Sequence, residues 1–532
     1  MTDQVASVAA KPQSEGQFTA LGQVKLRNLI VWVSVAGLGT CFAGVFLLIS
    51  SQSTATAAVA FTIALGIACW PIASYFPGMI EKGLLFGLAF TLTISLQKHL
   101  IFRTDHLGGA VGLRVSITEI LLVLLLAVLA LPWRSRKIRI RVETPILLAF
   151  SVYFGFAALS AVLGNDPQLG LFELCALLQA FSLFVFLRNY VNDHRRFKIF
   201  VCGLLAGLIL QSAVAITQSQ RPGLLNLSFL GAGKQENIEL VDGEIALPDV
   251  DLGTTTLNGQ VRERPTGLLI HPNVLALYFV LVMPVAMATL IVLDRSWLQL
   301  IAGTALALSV PAFYLTLSRS GWVGLAAAIV LAAFFWRMWR PFRLSIHKKI
   351  VLGLMAAVLA CGVAMKAPTI IERWSESFKD AVSFRTSLAS TSWSMVKAHP
   401  FLGVGLNSFV TVVEQYDETM MSRIKAFPVH NILFLEFSET GILGGVAFIV
   451  LWILTMRCMF AAARRTASPF PRVAALFISC GIVGFFLADM AGFTYRIPIM
   501  TSLVWAQVAL ALSAEHAFPS LAANSLERKQ EL

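Results

Sequence analysis

His430-Asn431, followed after nine residues by Gly441 and after three more by Gly445, is the pattern in this chain with the most chemical content. Histidine is the side chain whose ordinary pKa lets it take a proton near neutral pH, so His430 is a candidate general base. Three arginines complement it. Arg264 opens Arg264-Pro265-Thr266-Gly267, Arg319 sits in Thr316-Leu317-Ser318-Arg319-Ser320-Gly321, and Arg385 precedes Trp393 and His399-Pro400-Phe401-Leu402-Gly403-Val404-Gly405. A guanidinium fork suits bidentate contact with phosphate, although each of these could equally be an arginine snorkelling to headgroups. In His271-Pro272-Asn273, Pro272 fits the first position of a helix whose positive end lies beside Arg264, a plausible anion site. His271 reads more readily as a capping group than as a catalyst. Glu436 and Glu439 stand one to two turns into an apolar run, where a carboxylate needs a role or a counter-charge. At about 100° per residue a continuous helix turns Glu439 away from His430, so no His–Glu dyad follows from the spacing. Gly441 and Gly445, four apart, read as a small-residue face for close helix contact, and Gly403-Val404-Gly405 as a tight turn. No pair of His or Cys near His430 has metal-ligand spacing, so neither metal nor cofactor is expected.

These residues have to be positioned by membrane helices. Of the 532 residues 57% are hydrophobic and 13% charged, and the mean hydropathy is +0.76. Soluble domains are about 45–50% apolar and about 25% charged, which excludes a soluble enzyme, a disordered scaffold and a disulfide-stapled secreted domain. The seven cysteines lie mostly in apolar stretches without a Cys-x-x-Cys pair and read as small buried side chains. Apolar runs near 20 residues occur at 29–50, 55–74, 83–102, 117–133, 145–163, 168–187, 198–219, 272–293, 297–317, 321–336, 349–365, 431–456, 472–488 and 498–514. Their continuous apolarity predicts an all-α polytopic membrane protein with about 12–14 transmembrane helices rather than a barrel. Basic clusters such as Arg134–Arg141, Arg188–Lys198, Arg337–Lys349 and Arg457–Arg472 recur in loops of one parity, which makes that side cytoplasmic. The net charge of +12 is thus a topological signal, and nucleic acid is not an expected partner.

The expected organisation is a cytoplasmic tail (1–28), helices (29–219), an outer loop (220–270) with acidic residues from Glu236 to Asp251, helices (271–365), a large outer loop (366–430) with amphipathic stretches, helices (431–514) and a cytoplasmic tail (515–532). Arg264, Arg319, Arg385 and His430 all fall at outer ends, so chemistry is expected at the outer face, where ATP is not the fuel.

In this order and spacing, the motifs at Arg264–Asn273, Thr316–Gly321, Arg385–Gly405 and His430–Gly445 resemble the O-antigen ligase/polymerase superfamily over roughly residues 260–460. The His-Asn pattern is similar to that of O-antigen ligases, and related repeat-unit polymerases carry similar versions. The resemblance implies a GT-C-type, metal-independent, inverting glycosyltransferase of the bacterial inner membrane, working at the periplasmic face. It implies a donor glycan on undecaprenyl diphosphate and an acceptor hydroxyl on lipid A–core or, for a polymerase, on the next repeat unit. His430 would then be the base and Arg264, Arg319 and Arg385 the diphosphate clamp, with Asn431, Glu436, Glu439, His271 and Asn273 in support. The reading from another class is a transporter or flippase of a lipid-linked glycan. Transporters place ionisable residues near the bilayer midplane and carry internal repeats; here the halves show no obvious repeat and the notable charges, Lys98 excepted, lie at outer ends.

Overall fold

A computed structural model describes residues 77–103, 106, 108–130, 141–221, 254–257, 260–293, 296–339, 345–346, 348–349, 365–375, 378–417 and 427–517. Residues 77–84 and 123–130 group as a unit of their own, in which Ile80 and Leu84 pack on Val128. The remainder forms the unit that carries every candidate residue.

In chain order, α1 (Pro77–Thr91) leads to an antiparallel hairpin of β1 (Gln97–Phe102) and β2 (Gly112–Ser116), then α2 (Ile117–Ala130). Next come α3 (Thr144–Leu163), α4 (Pro167–Tyr190) and α5 (His194–Gln220), followed by the hairpin β3 (Thr254–Leu257) and β4 (Gln260–Glu263). After α6 (Pro272–Val292), α7 (Trp297–Leu315) and α8 (Arg319–Trp339), three helices occupy the second long polar segment: α9 (Ala367–Ser375), α10 (Phe378–Ala398) and α11 (Phe409–Tyr416). The chain then forms α12 (Ile432–Arg465), α13 (Pro469–Asp489), a 3-10 turn (Thr494–Arg496) and α14 (Pro498–Ala517). Local chemistry sets these starts. Asp166, Asp193 and Asn431 cap α4, α5 and α12 through their side-chain oxygens, and α3, α4, α6 and α13 carry proline in the first turn, where its missing N–H costs nothing.

Among the described residues nine helices, α3–α8 and α12–α14, are long and apolar enough to cross a bilayer, and the chain is an all-α polytopic membrane protein. Each of the nine coincides with one of the apolar runs. Runs 29–50 and 55–74, nearly all of 349–365, and the acidic stretch 236–251 lie outside the described residues. The run 83–102 is not one helix: α1 stops at Thr91 and the chain reverses through β1 and β2. Polar Gln97, Lys98 and His99 interrupt the apolar run, and Gly108-Gly109 permits the turn. Lys98 is therefore a strand residue, and the charge that stood out as an exception is not within a span.

The helices α6, α13 and α14 are enclosed over most of their length, while α8 is peripheral. Helix α14 is the least apolar of the nine spans and the most enclosed. Its Gln507 donates to the Leu281 carbonyl of α6 at 3.1 Å, and its Trp505 indole to the Tyr495 hydroxyl at 3.2 Å. Where α8 crosses α13, Gly324 and Gly484 meet backbone to backbone; a Cβ on Gly484 would lie 2.3 Å from the Gly324 oxygen. Small residues let helices approach closely where no hydrophobic force drives them together.

Helices α8 and α12 both start at the same end of the bundle, and hydrogen bonds tie the turns at that end together. Asn165 N–H donates to Val404 O at 3.1 Å, Arg264 to Thr316 O at 2.7 Å, and Asn431 Nδ2 to Met490 O at 3.0 Å. Arg188, Arg195, Arg196, Arg337, Arg464, Arg465 and Arg472 lie towards the opposite end of the spans.

Candidate active site

Helix α12 begins at the site end and breaks after nine residues. Gly441 has φ 71° and ψ −175°, a conformation that favours glycine, and a Cβ there would lie 2.3 Å from Phe401 O. The break strands backbone groups that a continuous helix would pair, and the 400–405 turn takes them up. Ile442 N–H donates to Pro400 O (2.8 Å), Val404 N–H to Ser438 O (2.9 Å) and Gly405 N–H to Glu439 O (3.1 Å), while Ser160 of α3 adds a hydroxyl to Glu439 O (2.6 Å). Gly403, at φ 69°, lies against the Glu439 backbone. Gly441 is thus a helix break filled by a neighbouring turn, which corrects the reading of Gly441 and Gly445 as a helix-contact face. A Cβ on Gly445 would meet its own helix's Phe437 ring. The Gly403–Gly405 segment is a tight turn, docked on that break.

His430 stands just ahead of this half-helix. Its ring lies edge-on to Phe493 with centroids 5.4 Å apart, and Nδ1 is 3.1 Å from Pro428 O. A carbonyl only accepts, so Nδ1 carries the proton and the lone pair is on Nε2. Burial and the positive charge of Arg385 push the His430 pKa down to about 4, against a smaller rise from the Pro428 contact. The expected pKa near working pH is therefore not what the folded chain imposes: the imidazole is neutral there, able to accept a proton but a weaker base.

The other candidates surround it. His271 caps α6, its Nδ1 accepting from Asn273 N–H at 3.0 Å, and burial together with Arg264 and His430 lowers its pKa to about 3. Arg264 spends two nitrogens on protein, Nε donating to Thr316 O and Nη2 to Asn273 Oδ1, both at 2.7 Å. It therefore braces the start of α6 against the turn before α8. Arg319 opens α8 two residues after Leu317, which holds φ 50°, and its Nη1 is buried without a hydrogen-bond partner among the described residues. Arg385, half-buried on α10, has its pKa lowered by burial and then by the charge of Arg319. Neither Arg319 nor Arg385 pairs with a carboxylate among the described residues. A chain of mutual fields thus joins Arg264, His271, His430, Arg385 and Arg319. The structure brings these five together, with Asn273 beside Arg264.

Asn431 and the two glutamates are placed differently. Asn431 caps α12, accepting from Leu433 N–H and Phe434 N–H. Glu436 and Glu439 turn to Arg496, whose Nη1 and Nη2 donate to them at 2.8 and 2.7 Å, while Glu173 of α4 lies 3.0 Å from Nε. All four are buried. Glu439 also accepts from Asn407 N–H and Phe409 N–H, and Glu436 from the Tyr153 hydroxyl. Arg496 and Glu173 escaped the sequence reading, although the signals applied elsewhere suited them: an arginine at the outer end of a span, and a carboxylate about two turns inside one. Among the described residues no group of His, Cys, Asp and Glu could hold a metal ion.

No curated protein matches the chain. Residues 304–449 match the family model of the O-antigen ligase domain, a stretch that contains Arg319, Arg385, His430 and the break at Gly441. That domain makes the protein a membrane enzyme of the O-antigen ligase/polymerase type. Over that stretch the chain is similar to the O-antigen ligase superfamily.

Proposed function

We propose that the protein transfers a glycan from undecaprenyl diphosphate to an acceptor hydroxyl at the periplasmic face of the inner membrane, as an O-antigen ligase acting on lipid A–core. One observation carries the reading: Arg319 and Arg385 share a field beside a neutral histidine, with no carboxylate paired to either among the described residues. Two neighbouring guanidiniums without an acid call for an anion, and a diphosphate supplies one. In the reaction the acceptor O–H proton passes to Nε2 of His430 and the oxygen attacks the anomeric carbon. The bond to the diphosphate breaks with its electron pair, and the leaving oxygen's charge is stabilised by the arginines. Attack opposite the leaving group inverts the anomeric centre. A bound diphosphate also offsets the field of Arg385, raising the basicity of His430 at the moment it is needed. With lipid-linked repeat units as both donor and acceptor, the same geometry serves a polymerase.

The test is turnover of a polyprenyl-diphosphate oligosaccharide with lipid A–core by purified protein. General-base assistance is worth about 10²–10⁴-fold, so His430→Ala should lose that much with donor binding retained. Arg319→Lys keeps charge but not the fork; losing one charge-assisted hydrogen bond, about 1.5–3 kcal/mol, lowers turnover roughly 10- to 150-fold. A folded His430→Ala enzyme turning over within a few-fold of the parent would remove the proposal.

A further inference from the structure

Arg496 lies away from the arginine cluster, yet its loop touches the half-helix behind His430 at four points. Asn431 Nδ2 donates to Met490 O at 3.0 Å, the His430 ring meets Phe493, and Arg496 donates to Glu436 and Glu439. The loop is itself fixed. Asp489 at the end of α13 accepts from Thr494 N–H at 2.7 Å and Tyr495 N–H at 2.9 Å, which forms the 3-10 turn that aims Arg496 inward. The half-helix has no continuous ladder to the rest of α12, because Gly441 interrupts it. Something other than the helix's own backbone must then set its pitch and the place of the histidine at its head. Glu436 and Glu439 lie one turn apart on its inner side, and Glu173 anchors the same guanidinium to α4.

We propose that Arg496 is the positioning residue for His430: one guanidinium, bridging three carboxylates on two helices, fixes the half-helix and with it the imidazole. The proposal rests on the general-base reading of His430, and its test has an arm that does not. Lysine at 496 keeps the charge but reaches the three carboxylates only as a point. The first measurement is site-resolved carbethoxylation of histidines by diethyl pyrocarbonate in the purified, substrate-free full chain. Arg496→Lys should change the His430 rate at least about 3-fold while exposed His399 and half-buried His271 keep theirs; His430 unchanged, or all histidines shifting together, would overturn the proposal. The second is kinetics with the polyprenyl-diphosphate oligosaccharide. A misplaced base lowers kcat by about 10–100-fold with donor KM held, and Arg496→Lys should cost nothing further on a His430→Ala background. Equal losses on both backgrounds would overturn it. Should Arg496→Lys fail to fold, Glu436→Gln, which keeps shape and removes one charge, carries both measurements with the same expected outcomes. An altered His430 modification rate together with an active His430→Ala enzyme would leave the positioning intact and refute the general base instead.

Discussion

With Nδ1 donating to Pro428 and Arg385 close by, His430 stays neutral in the folded chain down to about pH 4, whereas an exposed histidine takes its proton near 6.5. Two consequences have opposite uses. Between these values the unfolded chain binds more protons than the folded one, so stability is full above pH 6.5 and declines as pH falls towards 4. His271, pushed to about 3, adds to the same slope. Thermal melts from pH 7 to 4.5 should show the decline, and His430→Gln should flatten part of it. For the reaction, kcat/KM reports the free enzyme, so its acid limb is expected near pH 4 and not 6.5, while that of kcat lies higher because the bound diphosphate offsets Arg385. A kcat/KM limb at 6.5 would mean that another group is the base. His430 and the arginines Arg264, Arg319 and Arg385 were legible because charge at the outer end of a span is conspicuous whatever the fold. The pKa of His430 was not, since it depends on neighbours far apart in sequence. Nor was the commitment of Arg264 to Thr316 and Asn273, which only the meeting of α6 and α8 creates.

At the scale of elements, the break in α12 is the feature on which the site depends. Gly441→Ala forces alanine into a positive-φ, extended-ψ conformation that is essentially glycine's alone, about 1–3 kcal/mol by itself, and drives a Cβ into backbone atoms of Phe401 and Leu402 that cannot rotate away. Gly445→Ala meets only the Phe437 ring, which can shift. Gly441→Ala should therefore lower Tm and activity clearly more than Gly445→Ala, measured on purified protein in one detergent; equal effects would mean that the break is dispensable. The nine spans were readable because lipid leaves continuous apolar helices almost no alternative. The break was not, since Gly-x-x-x-Gly serves close helix packing as readily as a helix interruption. What distinguishes the two is the turn at Pro400–Gly405, which comes from a different part of the chain. The hairpin β1–β2 was hidden for a related reason: the three polar residues that open its first strand, Gln97 to His99, are averaged away between the apolar run of α1 and Leu100–Phe102 in a 20-residue window.

For the whole molecule, the orientation proposed from the alternation of basic loops would have the end bearing His430 face the periplasm and Arg464 and Arg465 face the cytoplasm. On a cysteine-free background, Lys397→Cys at the exposed end of α10 should react with an impermeant thiol reagent in cells with a permeabilised outer membrane. Arg465→Cys should react only once the inner membrane is opened; the reverse pattern would refute the proposed orientation. Helix α14 carries a different implication. It is the least apolar span and the most enclosed, and its Gln507 rests on a carbonyl of α6. A segment of that composition gains little by partitioning into lipid on its own. Its entry into the bilayer during synthesis must therefore be templated by helices already there, α4 and α13 above all, which makes the nascent bundle the chaperone of this span.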